Sequence, residues 1–197
     1  MKNLVLLLLV SCSSGTYLLE EKKILPYEEN NTTTKLNLET KTLKIVKVDD
    51  IRENRSYGFA YTGVKYQKTP VVLISTLESF LISNLKDALE TRNLNYVEDN
   101  PEVSINIDVK EFFVEELIEK FKPERAKCRV ELVVKIDEDN KSWSGNYWTE
   151  YVSAGDLRDG TERLAPTLAS CLNQISEKIV NDQKFVSMIR KIGDENE

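Results

Sequence analysis

Apolar and polar residues alternate in several stretches of the chain after residue 42, which is the pattern of a half-buried β-strand. The alternation is clearest in "LKIVKV" from Leu43 to Val48, in "VSINIDVKEFFV" and in "KCRVELVVKID". The turn sequence "DEDNKS" joins the last of these to "WSGNYWTEYVSA", which predicts an antiparallel hairpin. These stretches therefore predict a sheet with one apolar face and one polar face.

Two further stretches repeat apolar residues at helical spacing, and each predicts an amphipathic helix. Ser75 and Glu78 have the spacing of a capping box before the first helix, and Asn93 suits the position just past its end. Pro166 fits the second helix only if it lies in the first turn. The apolar stripe of the first helix is Leu77, Phe80, Leu81, Leu85, Ala88 and Leu89, and that of the second is Leu164, Leu168, Cys171, Leu172, Ile175 and Ile179. A short final helix is predicted from Phe185, Met188 and Ile189. The pattern predicts an α+β fold, a two-layer sandwich with a mainly antiparallel sheet and two amphipathic helices on one face.

The first residues of the chain form an apolar run that stops at a cysteine. Leu4 to Val10 are seven apolar residues preceded by Lys2, too few for a membrane-spanning helix of roughly 20 residues but suited to an export signal. The residues that close the run, Leu9-Val10-Ser11-Cys12, resemble the lipobox of bacterial lipoproteins, in which the cysteine is acylated and the signal is cut before it. We therefore expect a signal peptide over residues 1–11 and lipidation at Cys12. The alternatives are an ordinary secretory signal with an incidental cysteine, or a short buried N-terminal strand.

The chain after Cys12 divides into a polar segment and one domain. Residues 12–42 are rich in Glu, Lys, Asn and Thr with short apolar patches, which predicts a flexible tether that gives reach from the membrane, with an edge strand near Leu36 as the alternative. Residues 43–197 then predict a single α+β domain.

The charge of the chain bears on its partners. The formal net charge is −6, with 33 acidic and 27 basic residues. Nucleic-acid binding depends largely on Lys and Arg that neutralise phosphates, so this balance argues against a nucleic-acid partner. Several acyl chains on Cys12 would still hold the protein stably at a membrane.

The composition also excludes several classes of enzyme. The chain has no histidine, so it has no Ser-His-Asp triad and no His-bearing zinc site. It also has neither of the Gly-rich phosphate motifs, GxxxxGK[ST] and GxGxxG. We therefore expect no metal and no cofactor.

Carboxylate chemistry remains open, since a glycoside hydrolase needs only a pair of carboxyl groups. Asp49 and Asp50 lie at an expected strand end and the group from Asp137 lies in an expected hairpin turn, where solvated acidic residues are common. The candidates are Asp49, Asp50, Glu115, Glu116, Asp137, Glu138 and Asp139.

Cys128 and Cys171 lie on the apolar faces of an expected strand and of the second helix. In an oxidising compartment they can form a structural disulfide. Buried cysteines also occur as small hydrophobic residues without a bridge, and the sequence leaves both alternatives open.

The most suggestive binding feature is the aromatic strand "SWSGNYWTEYV". Alternation places Trp143, Tyr147 and Tyr151 on one face and Asn146, Trp148 and Glu150 on the other. We expect Trp148, with its polar neighbours Asn146 and Glu150, to be exposed as a partner surface, because tryptophan is enriched at interface hot spots. The alternative is a tryptophan that stabilises neighbouring strands.

A second candidate surface is the connection from Glu53 to Gln67, which includes Tyr61. A connection of this length is often functional. The alternative interpretation is a simple hairpin.

The stretches "LKIVKVDDIREN", "LETRNLNYV", "VSINIDVKEFF", "CRVELVVKIDEDNKSWSGNYWTEY" and "NDQKFVSMI" resemble, in order and spacing, the YajG-like lipoproteins of Gram-negative envelopes. The resemblance implies a lipid-anchored periplasmic domain and carries over no catalytic residues. Ser13 in place of Asp after Cys12 favours the outer membrane under the enterobacterial sorting rule. The expected function is non-enzymatic binding of an envelope protein or another envelope component. The alternative is a carboxylate-dependent cell-wall glycan hydrolase.

Replacement of Cys12 tests the expected anchor directly. Cys12→Ala should abolish acyl labelling and leave the precursor uncut, because it removes the thiol that receives the lipid. Metabolic labelling with a fatty-acid analogue measures this, with Ser14→Ala as the matched control that keeps the thiol. Unchanged labelling of Cys12→Ala would contradict the assignment.

Overall fold

The computed structural model describes residues 15–19, 24, 39–62, 66–118, 123–138, 141–153 and 163–191. These residues form seven strands and three helices. The strands are β1 (Tyr17–Leu18), β2 (Leu43–Asp50), β3 (Gly58–Thr62), β4 (Gln67–Val72), β5 (Val103–Leu117), β6 (Arg125–Glu138) and β7 (Lys141–Val152). The helices are α1 (Leu77–Thr91), α2 (Leu164–Val180) and α3 (Gln183–Ile189).

The strands form one sheet in the order β1-β4-β3-β5-β6-β7, with β2 also paired to β5. The long strands β5, β6 and β7 form an antiparallel meander. On the other edge of β5, β2 runs parallel to its first half and β3 parallel to its second half. The connection between Glu53 and Gln67 is the β3–β4 hairpin together with the segment that leads into it.

The helices cover one face of this sheet. The inward residues of β5 and β6, with those of α1 and α2, form one buried core. Phe80 of α1 packs edge-to-face against Phe112 of β5 at a centroid distance of 6.0 Å. The expected fold class is thus confirmed, an α+β sandwich of sheet and helices. No helix in the described ranges has the length and apolar character needed to cross a membrane.

The helix ends agree with the sequence pattern apart from one cap. Thr76, not Ser75, is the N-cap of α1, and its side chain accepts a hydrogen bond from the Ser79 amide at 3.2 Å. Asn93 lies just past α1 with φ +66°, as expected for a residue that tolerates the left-handed conformation. Pro166 lies in the first turn of α2, where its missing N–H group has no intrahelical partner to lose.

The polar N-terminal segment packs on the domain at several of its described residues. Tyr17 and Leu18 pair with Val71 and Val72 as β1, and Leu19 and Ile24 are buried in the core. The flexible-tether prediction is wrong at these positions, because short apolar patches within a polar segment have enough apolar surface to pack against the sheet. Gly15 and Thr16 are exposed, and Thr40 forms an isolated bridge with Arg190. Cys12 and Leu36 lie outside the described residues.

A disulfide joins the two layers of the fold. Cys128 of β6 and Cys171 of α2 are bonded, with their Cα atoms 6.3 Å apart and both side chains fully buried. The bridge closes a loop of 43 residues in sequence separation and thereby ties α2 to β6, the middle strand of the β5-β6-β7 meander.

The connection between β2 and β3 leaves a gap along the edge of β5. The Ile51 amide donates to the Val109 carbonyl at 3.0 Å, and the Val114 amide donates to the Tyr57 carbonyl at 2.9 Å. Between these two points the chain leaves the sheet. The Phe112 carbonyl in the gap accepts its hydrogen bond from Arg52 Nη1 at 2.9 Å, so a side chain replaces the missing strand.

Arg52 is held in this gap by Asp50. Its Nε and Nη2 donate to Asp50 Oδ1 and Oδ2 at 2.8 and 2.9 Å, which is a bidentate pair. The Arg52 side chain is only 2% exposed, and its guanidinium lies 4.8 Å from the centre of the Tyr57 ring. Gly58 then resumes the strand at φ +132°, where a Cβ atom would lie 1.5 Å from the Val114 oxygen. The β2–β3 segment is therefore fixed at both ends.

Arg52→Met should lower the free energy of unfolding by about 3 kcal/mol, because it leaves the Phe112 carbonyl and the Asp50 carboxylate without their buried partner. Arg55→Met is the matched control. Arg55 also contacts Asp50, at 2.8 Å, but its side chain is 63% exposed, so its loss should cost under about 1 kcal/mol. Urea unfolding measures both changes, and equal losses in the two variants would contradict this role for Arg52.

The same pair predicts a dependence of stability on pH. Hydrogen bonds from Arg52 hold the pKa of Asp50 well below its ordinary value of 3.8. The unfolded chain therefore takes up a proton at a higher pH than the folded chain does. The stabilisation is present above about pH 4 and is lost as the pH falls further. Arg52→Met should flatten this acid limb in unfolding experiments.

Candidate functional site

The face of the sheet away from the helices is the candidate functional surface, and we call it the open face of β5, β6 and β7. Most of its charged side chains pair across neighbouring strands, as Lys127 does with Glu150 at 2.7 Å. The other pairs are Arg129 with Glu111, Lys135 with Asp108, and Lys110 with Glu131. No helix of the described chain covers this surface. Its charged side chains are held in place by these ion pairs with each other.

A cleft of about 380 Å³ opens on this face beside the β2–β3 gap. One wall is the segment from Ile51 to Asn54, which Arg52 holds away from the sheet. The floor and the other wall come from the neighbouring strands β5 and β6, namely Lys110, Glu111, Phe112, Phe113, Arg129 and Glu131. Ile51 is 51% exposed at the rim, so the cleft combines an apolar rim with paired charges.

The charges in the cleft depend on an irregularity in β5. The pairing of β5 with β6 shifts register between Val109 and Glu111, which is a β-bulge. Glu111 and Glu131 are directly opposite each other as a result. Arg129 Nε lies 3.1 Å from Glu111, and Lys110 Nζ lies 3.4 Å from Glu131. Each acid therefore has its own cation, which offsets the repulsion between the two carboxylates.

The tryptophan predicted as a partner contact continues this surface. Trp148 of β7 is directly opposite Glu131 of β6 and is 50% exposed. Asn146 and Glu150 are exposed on the same face. Tyr147, which points to the core, is 7% exposed and donates to Asp182 Oδ2 at 2.9 Å, and its burial raises the pKa of the phenol above the ordinary range. A partner role for Asn146, Trp148 and Glu150 stays a prediction.

Tyr61, the other predicted partner position, lies elsewhere on the sheet. It is partly buried on β3, and its amide donates to the Glu116 carboxylate. Three strand spacings and about six residues along the strand direction separate it from Trp148, roughly 25 Å in all. Its neighbour Phe59 packs against Phe113 at a centroid distance of 6.0 Å. The structure therefore does not bring Tyr61 and Trp148 into one contact area.

The carboxylates considered for hydrolysis are dispersed. Asp49 forms an ion pair with Lys47 at 2.7 Å, and Asp50 forms the ion pair with Arg52 described above. Glu115 and Glu116 are consecutive on β5 and therefore point to opposite faces. Asp137 and Glu138 end β6, and Asp139 lies outside the described residues. Among the acids and cysteines that the structure describes, no group has the arrangement of a metal site.

Sequence reasoning missed the residues of the cleft. Alternation does place Glu111 and Glu131 on the polar faces of their strands, but it does not give the register that makes them opposite. The bulge at Lys110 and the inward turn of Arg52 have no marker in the periodicity. Only the sequence "DDIR", with an acid two residues before an arginine, hints at the local ion pair.

The chain was also compared with solved structures. A crystal structure of a protein from Xanthomonas campestris has a TM-score of 0.53 and 12% sequence identity, and the match covers 84% of this chain and 92% of that one. A minor lipoprotein from Acinetobacter baumannii has a TM-score of 0.36 and 11% identity, with 78% and 96% covered. A hypothetical protein from Chlamydia trachomatis has a TM-score of 0.41 and 9% identity, with 76% and 95% covered. Of these three, the Xanthomonas structure supports the fold, and its identity is too low to carry a function.

Comparison by sequence identifies the family. Curated proteins give no significant match. A family model described as "uncharacterized lipoprotein" matches residues 30–190, which include every element from β2 to α3. This match agrees with the resemblance to the YajG-like lipoproteins. The chain therefore belongs to this family of uncharacterized lipoproteins.

Proposed function

We propose that the protein is a non-enzymatic lipoprotein, anchored through Cys12 to the periplasmic side of the outer membrane, whose domain binds another envelope protein. Family membership supports the anchored envelope location. The lipobox residues and Ser13 support the finer placement. The binding role rests on the open face of β5, β6 and β7.

One observation carries the binding role, namely that Trp148 is half exposed beside a cleft on the uncovered face of the sheet. A tryptophan on a sheet surface exposes a large apolar area to water, and such residues are enriched at interface hot spots. The neighbouring charges are already paired within the domain. They suit the polar rim that surrounds an apolar anchor in a protein interface.

A glycan hydrolase is the second candidate, and the opposed acids Glu111 and Glu131 are the observation that favours it. Directly opposite side chains on neighbouring strands have Cβ atoms about 5 Å apart, so the two carboxyl groups can reach the separation of about 5 Å that retaining glycosidases use. The ion pairs of both acids support a structural role instead. A purified domain that solubilised sacculi, and lost this activity on Glu131→Gln, would favour the hydrolase.

Photocrosslinking in living cells tests the binding role. We expect p-benzoylphenylalanine in place of Trp148 to give one discrete protein adduct, because this aromatic side chain keeps the bulk of the tryptophan at the surface. The residue at position 61 is exchanged in parallel, as the second predicted contact. Glu78 is the control position, since it is exposed on α1 on the helical side of the domain.

The adduct should form from position 148 and be absent from position 78. Mass spectrometry of the adduct identifies the partner. If an acylated and folded protein gave no adduct from either position 148 or position 61, the proposed binding surface would be contradicted.

A further inference from the structure

Three strands of the described sheet, β1, β2 and β7, pair on one side only, and they differ in how the outer side is protected from pairing with another strand. β1 has only two residues, and β2 has four charged residues and a register shift in its pairing with β5. β7 has twelve residues, and no strand in the described part of the chain pairs with its outer side. A long free edge attracts further strands unless charges, proline, bulges or a covering element prevent it.

Proline, bulges and charged residues of its own are missing along most of β7, although Lys178 of α2 bonds the outward carbonyl of Trp148. From Ser142 to Thr149 the sequence has no proline and no charged residue. The pairing of β6 with β7 runs through twelve residue pairs without a register shift, so no bulge twists the edge away. Natural sheets rarely leave such a strand unprotected, which indicates that this edge has a use.

Two hydrogen bonds show which backbone groups face outward. In an antiparallel pair, residues alternate between those that bond the partner strand and those that point away from it. The Ser153 amide donates to the Ala126 carbonyl beside β6, so the odd-numbered residues face β6. The Trp148 carbonyl, an even-numbered one, accepts instead from Lys178 Nζ of α2. The backbone groups of Ser144, Asn146, Trp148 and Glu150 therefore point to the free edge.

We propose that β7 receives an extended segment of the partner protein as an added strand, and that this segment carries an apolar residue beside Trp148 and a basic residue beside Glu150. The proposal rests on the proposed function and names the class of partner. An extended polypeptide repeats its N–H and C=O groups every two residues, about 7 Å, and so matches the outward groups of β7. Lipids and glycans have no such repeat.

Charge complementarity favours a basic segment over a second copy of this chain. On β5, β6 and β7 the acids and bases of the open face are nearly balanced, six against five. They are Asp108, Glu111, Glu115, Glu131, Asp137 and Glu150 against Lys110, Arg125, Lys127, Arg129 and Lys135. The chain as a whole has a formal net charge of −6, so two copies paired through β7 would meet at a cost from like charges. A segment with lysine or arginine would be attracted to the chain instead.

A proline at an outward position tests the added strand. Asn146→Pro removes the outward N–H group and places a ring at the edge, while the ladder between β6 and β7 stays intact, as is tolerated on edge strands. Asn146→Ala is the matched control, since it removes the same side chain and keeps the N–H group. Both variants carry the photocrosslinker at position 148 in the anchored full-length protein. Protease resistance confirms that each is folded, and Ser144→Pro replaces Asn146→Pro if that variant is not.

We expect Asn146→Ala to keep the adduct and Asn146→Pro to lose it by about tenfold or more, the equivalent of about 1.4 kcal/mol. The cross-linked peptide should contain a basic residue two positions from an apolar one. An undiminished adduct in folded Asn146→Pro would overturn the added strand and leave the proposed function standing. An acidic peptide, or an adduct between two copies of this chain, would overturn the assigned partner. The absence of any adduct in the parent protein would contradict both proposals.

Discussion

The fold depends on the guanidinium of Arg52, which takes the place of a strand where β2 and β3 separate. β5 is longer than either strand that flanks it, so its edge has a stretch without a backbone partner. Arg52 bonds the Phe112 carbonyl there, and the bidentate pair with Asp50 keeps the guanidinium in place. A buried arginine is stable only when its donors are satisfied. The path of the β2–β3 segment is therefore set by the hydrogen bonds that the Arg52 guanidinium makes.

The position of Arg52 also determines the shape of the open face of β5, β6 and β7. Because the Ile51–Asn54 segment is held out of the sheet, a cleft remains beside Phe113 instead of a continuous surface. The bulge in β5 places Glu111 opposite Glu131, and the same surface continues across β6 to Trp148 of β7. Cleft, exposed tryptophan and free edge thus lie on one side of the molecule. The core and the disulfide that stabilise the domain lie on the other.

The periodicity of the sequence was sufficient to predict the two layers and the buried face of each strand and helix, but not which strands pair with each other. Alternation correctly placed Tyr147 inward and Trp148 outward, and helical spacing gave α1 and α2 because each has a broad apolar stripe. The parallel pairing of β2 and β3 with β5 was not predictable, since the alternation of apolar and polar residues in a strand is the same whichever strand lies beside it. Leu19 and Ile24 were missed because a few apolar residues within a polar segment give no period. The apolar positions of Cys128 and Cys171 were readable, but the distance between them required the packed structure.

Hydrogen exchange of β7 tests the central claim most directly, since it compares the same protein with and without its envelope surroundings. The protein is labelled in isolated cell-envelope vesicles and again after purification in detergent, and mass spectrometry follows the peptides of residues 142–152. An added strand protects the outward amides, so exchange in these peptides should be slow in the vesicles and fast after purification. Peptides from the centre of β5 should exchange equally in both. Equal exchange of β7 in the two preparations would contradict the account.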